Sequence, residues 1–555
     1  MAPAWPLRDV PAEVAARYVR EGFWTDDTLG AVLAGALSTH PERVFRVRSQ
    51  RRPFVGTLGG LHDLALRVAG GLRARGVGPG DVVAFQLPNW MEAAATFYAT
   101  SFLGAVMVPI VHFYGPKEVG YILARSEAKA YVVADRFGHA DYLALIEQVR
   151  PELPALESVA VVGDDVPAGT VPFAALLEGP PLDGPAPVDP TAPAVVAYTS
   201  GTTSEPKGVI HTHRTLLCEM RQLGAAQAKG AGPSLWGLPV THASGMLGAL
   251  LLPVVKDQPV HLIDVWDPGV ILAAMLEDQL GSGSGATFFL TSLLDHPDIG
   301  PEHLRLMRHI GLGGSSIPAA VTERATALGL VVSRMYGSTE HPSTTASPYE
   351  DPVDKRVHTD GKPLPGVELR LVDDDDRDVA PGQPGEILSR GPDCCMGYTD
   401  PALTARAFAA DGWYRTEDVG VLDADGYLTV VDRKKDIIIR GGENVSALEV
   451  EELLTRMPGV AEVAVVAAPD ARLGEHACAF VRALPGAAPT GLDAIRDHLA
   501  GAGLARPKWP EEVRVVDDFP RTASGKVQMF VLRDELRREA AAGAGTGAAT
   551  AGSGP

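Results

Sequence analysis

Apolar residues recur along this chain at two spacings. Between 59 and 75, Leu61, Leu64, Val68 and Leu72 fall three or four residues apart and share one face of a helix. A shorter helix is expected over 12–21. At 82–87, 130–134 and 159–162 the apolar positions are consecutive, which predicts short strands buried on both faces. The apolar segment 93–112 contains Gly104 and Pro109. It reads as a buried helix running into a strand rather than a membrane span. Strands alternating with helices predict an α/β fold, a mostly parallel sheet covered by helices. Further strands are expected within 235–248, 260–263, 287–290 and 331–336. Residues 46–52 are polar and Arg-rich, and 167–193 form a Pro-rich surface connection.

The texture changes after Gly361. Short strands at 367–372, 385–389 and 427–431, separated by turn residues, predict a small antiparallel β subdomain. The acidic run 373–376 suits a solvated hairpin tip. From Asp436 a second, α+β unit is expected. It has strands at 437–439, 460–467, 478–481 and 513–516 and a helix at 492–499. Ser446 and Glu449 have the spacing of a capping box ahead of Leu453 and Leu454. Residues 540–555 are Ala, Gly, Ser, Thr and Pro alone, so 539–555 is expected to be a disordered tail. The expected organisation is a large domain over 1–434, a hinge at 435, and a small domain over 436–538.

A chain of 555 residues is too long for one core, which agrees with that division. The net charge of −20 argues against generic nucleic-acid binding. The four cysteines, Cys218, Cys394, Cys395 and Cys478, have neither metal-ligand spacing nor a disulfide framework. With no charged segment and apolar run at the N-terminus, they lead to an expected cytoplasmic location.

The chemistry is most readable at Thr199, Ser200, Gly201, Thr202, Thr203, Ser204, Glu205, Pro206, Lys207 and Gly208, after the apolar run 195–198. Hydroxyls, glycine backbone N–H groups and a lysine suit a polyphosphate. The loop is not of the Walker type. Pro206 stands where the second Walker glycine would be, and Gly208 where the magnesium-binding hydroxyl would be.

Residues 198–208 resemble the phosphate-binding signature of the adenylate-forming (ANL) superfamily. That superfamily comprises acyl-CoA synthetases, adenylation domains of peptide synthetases and beetle luciferases. Further motifs carry the resemblance over about 50–535. It implies an ATP site that also includes Gly314, Ser315, Tyr336, Gly337, Thr339, Asp418 and Arg433, with Glu340 holding Mg²⁺. It implies an acid pocket at His242, Ala243, Met246, Gly313 and Gly337, with Trp236 and Leu238 nearby. Lys526 would complete adenylation from the small domain, Lys435 would be the pivot, and Gly441 and Gly442 would border the CoA pantetheine. Two departures stand out: Glu417 replaces the usual glycine before Asp418, and Gln528 and Met529 follow Lys526 where an arginine is common.

The reaction implied is ATP-dependent joining of a carboxylic acid to CoA through an acyl-adenylate. The texture resembles medium-chain fatty acid and cyclohexanecarboxylate CoA ligases. A medium-chain, alicyclic or aromatic acid fits the small and apolar pocket residues. Two alternatives share the motifs: an acyl- or aryl-AMP ligase that loads a carrier-protein phosphopantetheine, and a non-catalytic ATP-binding interaction protein.

Overall fold

The computed structural model describes residues 5–199, 205–228, 231–283, 285–434, 436–441, 443–470, 472–488, 490–522 and 525–547. Its largest core surrounds a seven-stranded sheet. In spatial order the strands are Lys207–Thr212, Pro193–Thr199, Val106–Pro109, Val82–Gln86, Ala130–Ala134, Ser158–Val162 and Val171–Pro172. All neighbours are parallel except the first pair, which is the antiparallel hairpin of the expected phosphate loop. Strands of this kind are buried on both faces, which is why Val82–Gln86 and Ala130–Ala134 are consecutively apolar. The helix Leu58–Ala74 buries Leu61, Val68 and Leu72 as the spacing predicts. The helix Met91–Leu103 is buried on nearly every side, and Gly104 ends it at φ +64°.

A second sheet runs in the order Gly281–Ser282, Ser234–Trp236, Val260–Ile263, Val44–Arg48 and Phe54–Thr57. Next to it lie the parallel strands His309–Leu312 and Val331–Tyr336. The antiparallel subdomain has the strands Glu368–Val372, Pro384–Arg390, Tyr414–Leu422 and Leu428–Arg433. The small domain is built on the antiparallel pair Val460–Asp470 and Gly474–Ala483, with its own core around Val450, Leu454, Val465 and Ile495. No helix among the described residues is long and apolar enough to cross a membrane.

Three expectations are corrected. Residues 287–290 are not a strand but the start of the helix Thr287–Leu294. Phe289, Leu290, Leu293 and Leu294 are buried, a helical stripe that a short apolar run does not distinguish from a strand. Within 235–248 only Leu235 and Trp236 are strand, because Gly237 and Pro239 end the ladder. The chain then turns at His242 into a helix over 243–255 whose middle, Met246–Leu251, has π-type turns. Finally, the last helix is Met529–Gly547, nine residues past Arg538. Alanine-rich sequence after a packed first turn continues a helix at little cost. The rest of the expected tail lies outside the described residues. Ser446 caps the helix Ala447–Thr455 by accepting from Glu449 N at 3.1 Å, while the Glu449 carboxylate pairs with Lys508 at 2.5 Å.

Candidate active site

Tyr336, at the end of Val331–Tyr336, donates its hydroxyl to Asp418 Oδ2 at 2.7 Å. Arg433 Nε meets the other oxygen of Asp418 at 3.0 Å. Asp418 and Arg433 face each other across the antiparallel pair Tyr414–Leu422 and Leu428–Arg433, so register fixes their meeting. Burial, with the Asp418 carboxylate alongside, pushes the Tyr336 hydroxyl well above its usual range. The three form an aromatic, an acid and a base in contact. Glu417, before Asp418, holds φ at +61°, the conformation a glycine would adopt freely.

Gly337 allows the chain to fold back sharply. A Cβ there would stand 2.0 Å from the Pro342 carbonyl oxygen. Ser338 N donates to His341 O at 3.0 Å, and His341 N donates to Ser338 Oγ at 3.2 Å. The Thr339 carbonyl accepts from His211 Nε2 at 2.8 Å. Glu340 is nearly buried, accepts the Tyr398 hydroxyl at 2.8 Å, and its carbonyl accepts Cys395 N at 2.7 Å. Among the described residues its carboxylate has this neutral hydroxyl and no cation as partner. A buried carboxylate in that state fits Mg²⁺, which prefers hard oxygen ligands.

Thr199 and Lys207 are opposite residues at the open end of the phosphate hairpin. Ser200, Gly201, Thr202 and Thr203 lie outside the described residues. Gly208 has no room for a side chain: a Cβ would meet Thr399 at 2.8 Å and the Tyr198 ring at 2.9 Å. Gly313 follows the strand His309–Leu312, Gly314 takes φ +77°, and the half-buried Ser315 comes next.

His242 caps the 243–255 helix. Its Nδ1 lies 2.8 Å from Ser244 Oγ and accepts from Ser244 N at 3.3 Å, so a neutral ring carries its proton on Nε2. Burial, and then the Lys526 ammonium, lower its pKa to about 4, which keeps it neutral at physiological pH. Lys526 belongs to the small domain and His242 to the large one, and the charge of the ammonium is felt at the imidazole across the two. The backbone of residues 521–522 and 525–527 is tied together by its own hydrogen bonds. Thr522 N donates to Lys526 O at 2.8 Å, and Lys526 N to Thr522 Oγ1 at 3.1 Å. The Arg521 guanidinium stacks 4.6 Å above the Phe288 ring, and a Cβ on Gly525 would stand 3.2 Å from the Phe289 ring. The small domain is also held by Glu452, which accepts Ala319 N at 2.9 Å, and by Arg456 on Glu323 at 2.7 Å.

Ala243 and Met246 lie in the first turns of the helix that His242 caps. Behind it, buried Asn89 donates to the carbonyls of Leu238 at 2.9 Å and Ile263 at 3.0 Å, and accepts Val240 N at 2.8 Å. Gly441 turns between Ile438–Arg440 and Glu443–Val445 at φ +58°, donating to Leu473 O at 2.8 Å within its own domain. Lys435 and Gly442 lie outside the described residues.

Residues 36–399 match the family model of the AMP-binding enzymes, and residues 449–526 match the C-terminal domain of the AMP-binding enzymes. The chain belongs to the AMP-binding enzyme family. A medium-chain fatty-acid–CoA ligase of Escherichia coli (strain K12) is 32% identical over 94% of this chain and 93% of its own length. A salicylyl-CoA synthase / salicylate adenylyltransferase of a Streptomyces species is 34% identical over 96% and 97%. Among solved structures, an anthranilate CoA ligase in complex with anthranoyl-AMP superposes with a TM-score of 0.84 at 25% identity, covering 94% of this chain and 98% of that one. The family's large and small α/β domains correspond to the two units above.

Sequence reasoning missed Asn89, Tyr398 as the partner of Glu340, and the Phe288–Phe289 ledge. Tyr398 carried a signal, since it follows Gly397 in a segment that resembles the family. Asn89 carried none: its partner Leu238 is 149 residues away.

Proposed function

We propose that this chain activates a medium-chain, alicyclic or aromatic carboxylic acid and passes it to CoA, with the residues above in the roles that follow. The chain is an ATP-dependent, AMP-forming acid–thiol ligase. The observation that supports the assignment of roles is the packing of Arg521 and Gly525, which precede Lys526 in the chain, against Phe288 and Phe289 of the large domain.

In the first step a carboxylate oxygen attacks the α-phosphorus of ATP, the α–β anhydride bond breaks, and pyrophosphate leaves. The carboxylate is already a nucleophile, so the protein's work is positioning and charge neutralisation. Tyr336 offers a ring to adenine, and the Asp418 carboxylate accepts from the ribose hydroxyls beside Arg433. Thr199, Ser200, Gly201, Thr202, Thr203 and Lys207 hold the phosphates with Thr339, and adenine lies against the loop of Gly314 and Ser315. Glu340 holds Mg²⁺, which when bound neutralises charge on the phosphate oxygens. Lys526 aligns the reacting carboxylate and phosphate. His242, neutral and fixed by Ser244, borders the carboxylate with Ala243, Met246, Gly313 and Gly337.

In the second step the CoA sulfur attacks the acyl carbon and AMP leaves. Gly441 and Gly442 suit a pantetheine arm, and the small domain turns about Lys435 between the steps to present them to the adenylate. The cytoplasmic location rests on four cysteines that are all buried and free.

The test is a panel of benzoate, cyclohexanecarboxylate and octanoate with ATP and Mg²⁺, scored for pyrophosphate release and then for acyl-CoA by mass spectrometry. At least one acid forms a CoA thioester. If acyl-AMP accumulates and only a phosphopantetheinylated carrier protein consumes it, the acceptor is the carrier protein.

A further inference from the structure

We propose that Asp470, His476 and Glu511 form a Zn²⁺ site in the small domain. One ligand atom from each lies within 4.8 Å of those of the other two. The site belongs to the small domain alone and does not depend on the ligase reading.

The small-domain sheet brings the three residues together. Asp470 ends the strand Val460–Asp470, and His476 lies near the start of the antiparallel strand Gly474–Ala483. Asp470 is opposite Gly474, two residues before His476, so the two side chains are diagonal neighbours on one face. Glu511 immediately precedes the strand Glu512–Val515, which pairs in parallel with Gly474–Ala483, and its N–H donates to Ala477 O at 2.9 Å.

Each carboxylate is anchored through one oxygen. Asp470 Oδ1 accepts Arg472 N and Leu473 N, each at 2.8 Å, which leaves Oδ2 for an ion. Glu511 Oε1 accepts Nε of Arg440 at 2.9 Å and also its Nη2, which leaves Oε2. His476 Nδ1 lies 3.7 Å from Asp470 Oδ2, while Nε2 lies 3.5 Å from Glu512 Oε2. A carboxylate at one ring nitrogen favours the proton there and leaves the lone pair on the other, the arrangement of a metal-binding imidazole. Nδ1 is that other nitrogen, and among the described residues it is buried with no hydrogen-bond partner. Leaving it so costs free energy that a bound ion offsets. The His476 side chain is 15% exposed and that of Asp470 26%, so the set is partly desolvated yet open to an ion from solvent.

Zn²⁺ takes N and O ligands at about 2.0–2.2 Å, so its ligand atoms stand at most about 4.4 Å apart and a small side-chain rotation closes the set. One imidazole with two carboxylates suits Zn²⁺ rather than Mg²⁺, which keeps to oxygen. The site adjoins the turn at Gly441, through Arg440 on Glu511 and Gly441 N on Leu473 O at 2.8 Å. Bound Zn²⁺ therefore ties separate segments of the folded small domain together and raises its stability.

The experiment uses the EDTA-treated full chain. It measures Zn²⁺ binding by equilibrium dialysis with metal analysis, and thermal unfolding with and without Zn²⁺. The parent binds one Zn²⁺ that excess Mg²⁺ does not displace, and its melting temperature rises. His476→Gln removes the imidazole, and Asp470→Asn keeps an oxygen for Arg472 N and Leu473 N. Both weaken that binding at least tenfold and lose the thermal shift, whereas Glu340→Gln, in the large domain, keeps both. Glu511→Gln, which keeps an oxygen for Arg440, behaves like the first two and replaces either one if it does not fold. A parent that binds no Zn²⁺ overturns the proposal. So does undiminished binding in the folded His476, Asp470 or Glu511 variants, or binding lost in Glu340→Gln alone.

Discussion

Glu417 is held at φ +61°, with its carbonyl accepting Lys434 N at 2.9 Å. A side chain there costs about 1–2 kcal/mol of local strain, and glycine would return roughly half of that to unfolded-chain entropy. Glu417→Gly is therefore expected to stabilise the protein by about 0.5–1 kcal/mol, measured as a higher urea midpoint with unchanged slope. A lower midpoint would contradict this. The residue was legible as a departure from the family's glycine, and the structure keeps the glycine-like backbone. Tyr336, Asp418 and Arg433 were legible too, because each sits in a short motif, and the structure brings them into contact. Asn89 was not, because its role comes from three backbone groups far along the chain.

At the scale of elements, the helix Thr287–Leu294 carries the site's least legible feature. Its apolar run fits a strand equally well until tertiary packing decides. As a helix it presents Phe288 to the Arg521 guanidinium and Phe289 to Gly525. A guanidinium over a ring contributes about 0.5–1 kcal/mol at a partly exposed site. Phe288→Ala is expected to slow pyrophosphate exchange about three- to tenfold while sparing CoA transfer from supplied acyl-AMP. Phe288→Tyr, which keeps the ring, should retain the parental rate. Equal slowing of both half-reactions would contradict a role in seating the 521–527 loop.

Across the whole molecule, buried titratable groups set opposing limits on stability. Burial lowers His112, His213 and His261 to about 4, so their contribution is present above the unfolded value of about 6.5 and lost as pH falls toward 4. Burial raises Glu451 to about 8, its carboxyl held by Val465 N at 2.8 Å. Its folded pKa exceeds its unfolded one, so its contribution is complete below about 4.5 and is lost as pH rises through 8. The melting temperature should peak near pH 6. Glu451→Gln keeps the accepted hydrogen bond without the proton, so its melting temperature should fall less from pH 6 to 9 than the parent's. Parallel curves would contradict the assignment. At this scale the two-domain α/β plan was legible from alternating strands and helices and from the motif order. The contacts of Glu452 and Arg456 with the large domain were not, since such pairings leave no periodic trace.

The central claim is that Lys526, carried by the small domain, serves the first half-reaction beside His242. It is tested most directly by following both half-reactions in Lys526→Ala by mass spectrometry: acyl-AMP formed from acid and ATP, and acyl-CoA formed from supplied acyl-AMP and CoA. The account predicts loss of acyl-AMP formation by at least a hundredfold, with acyl-CoA formation within about threefold of the parent, consistent with removing one preorganised charge from a single transition state. A folded variant that still forms acyl-AMP at the parental rate, or that loses both steps equally, would contradict it.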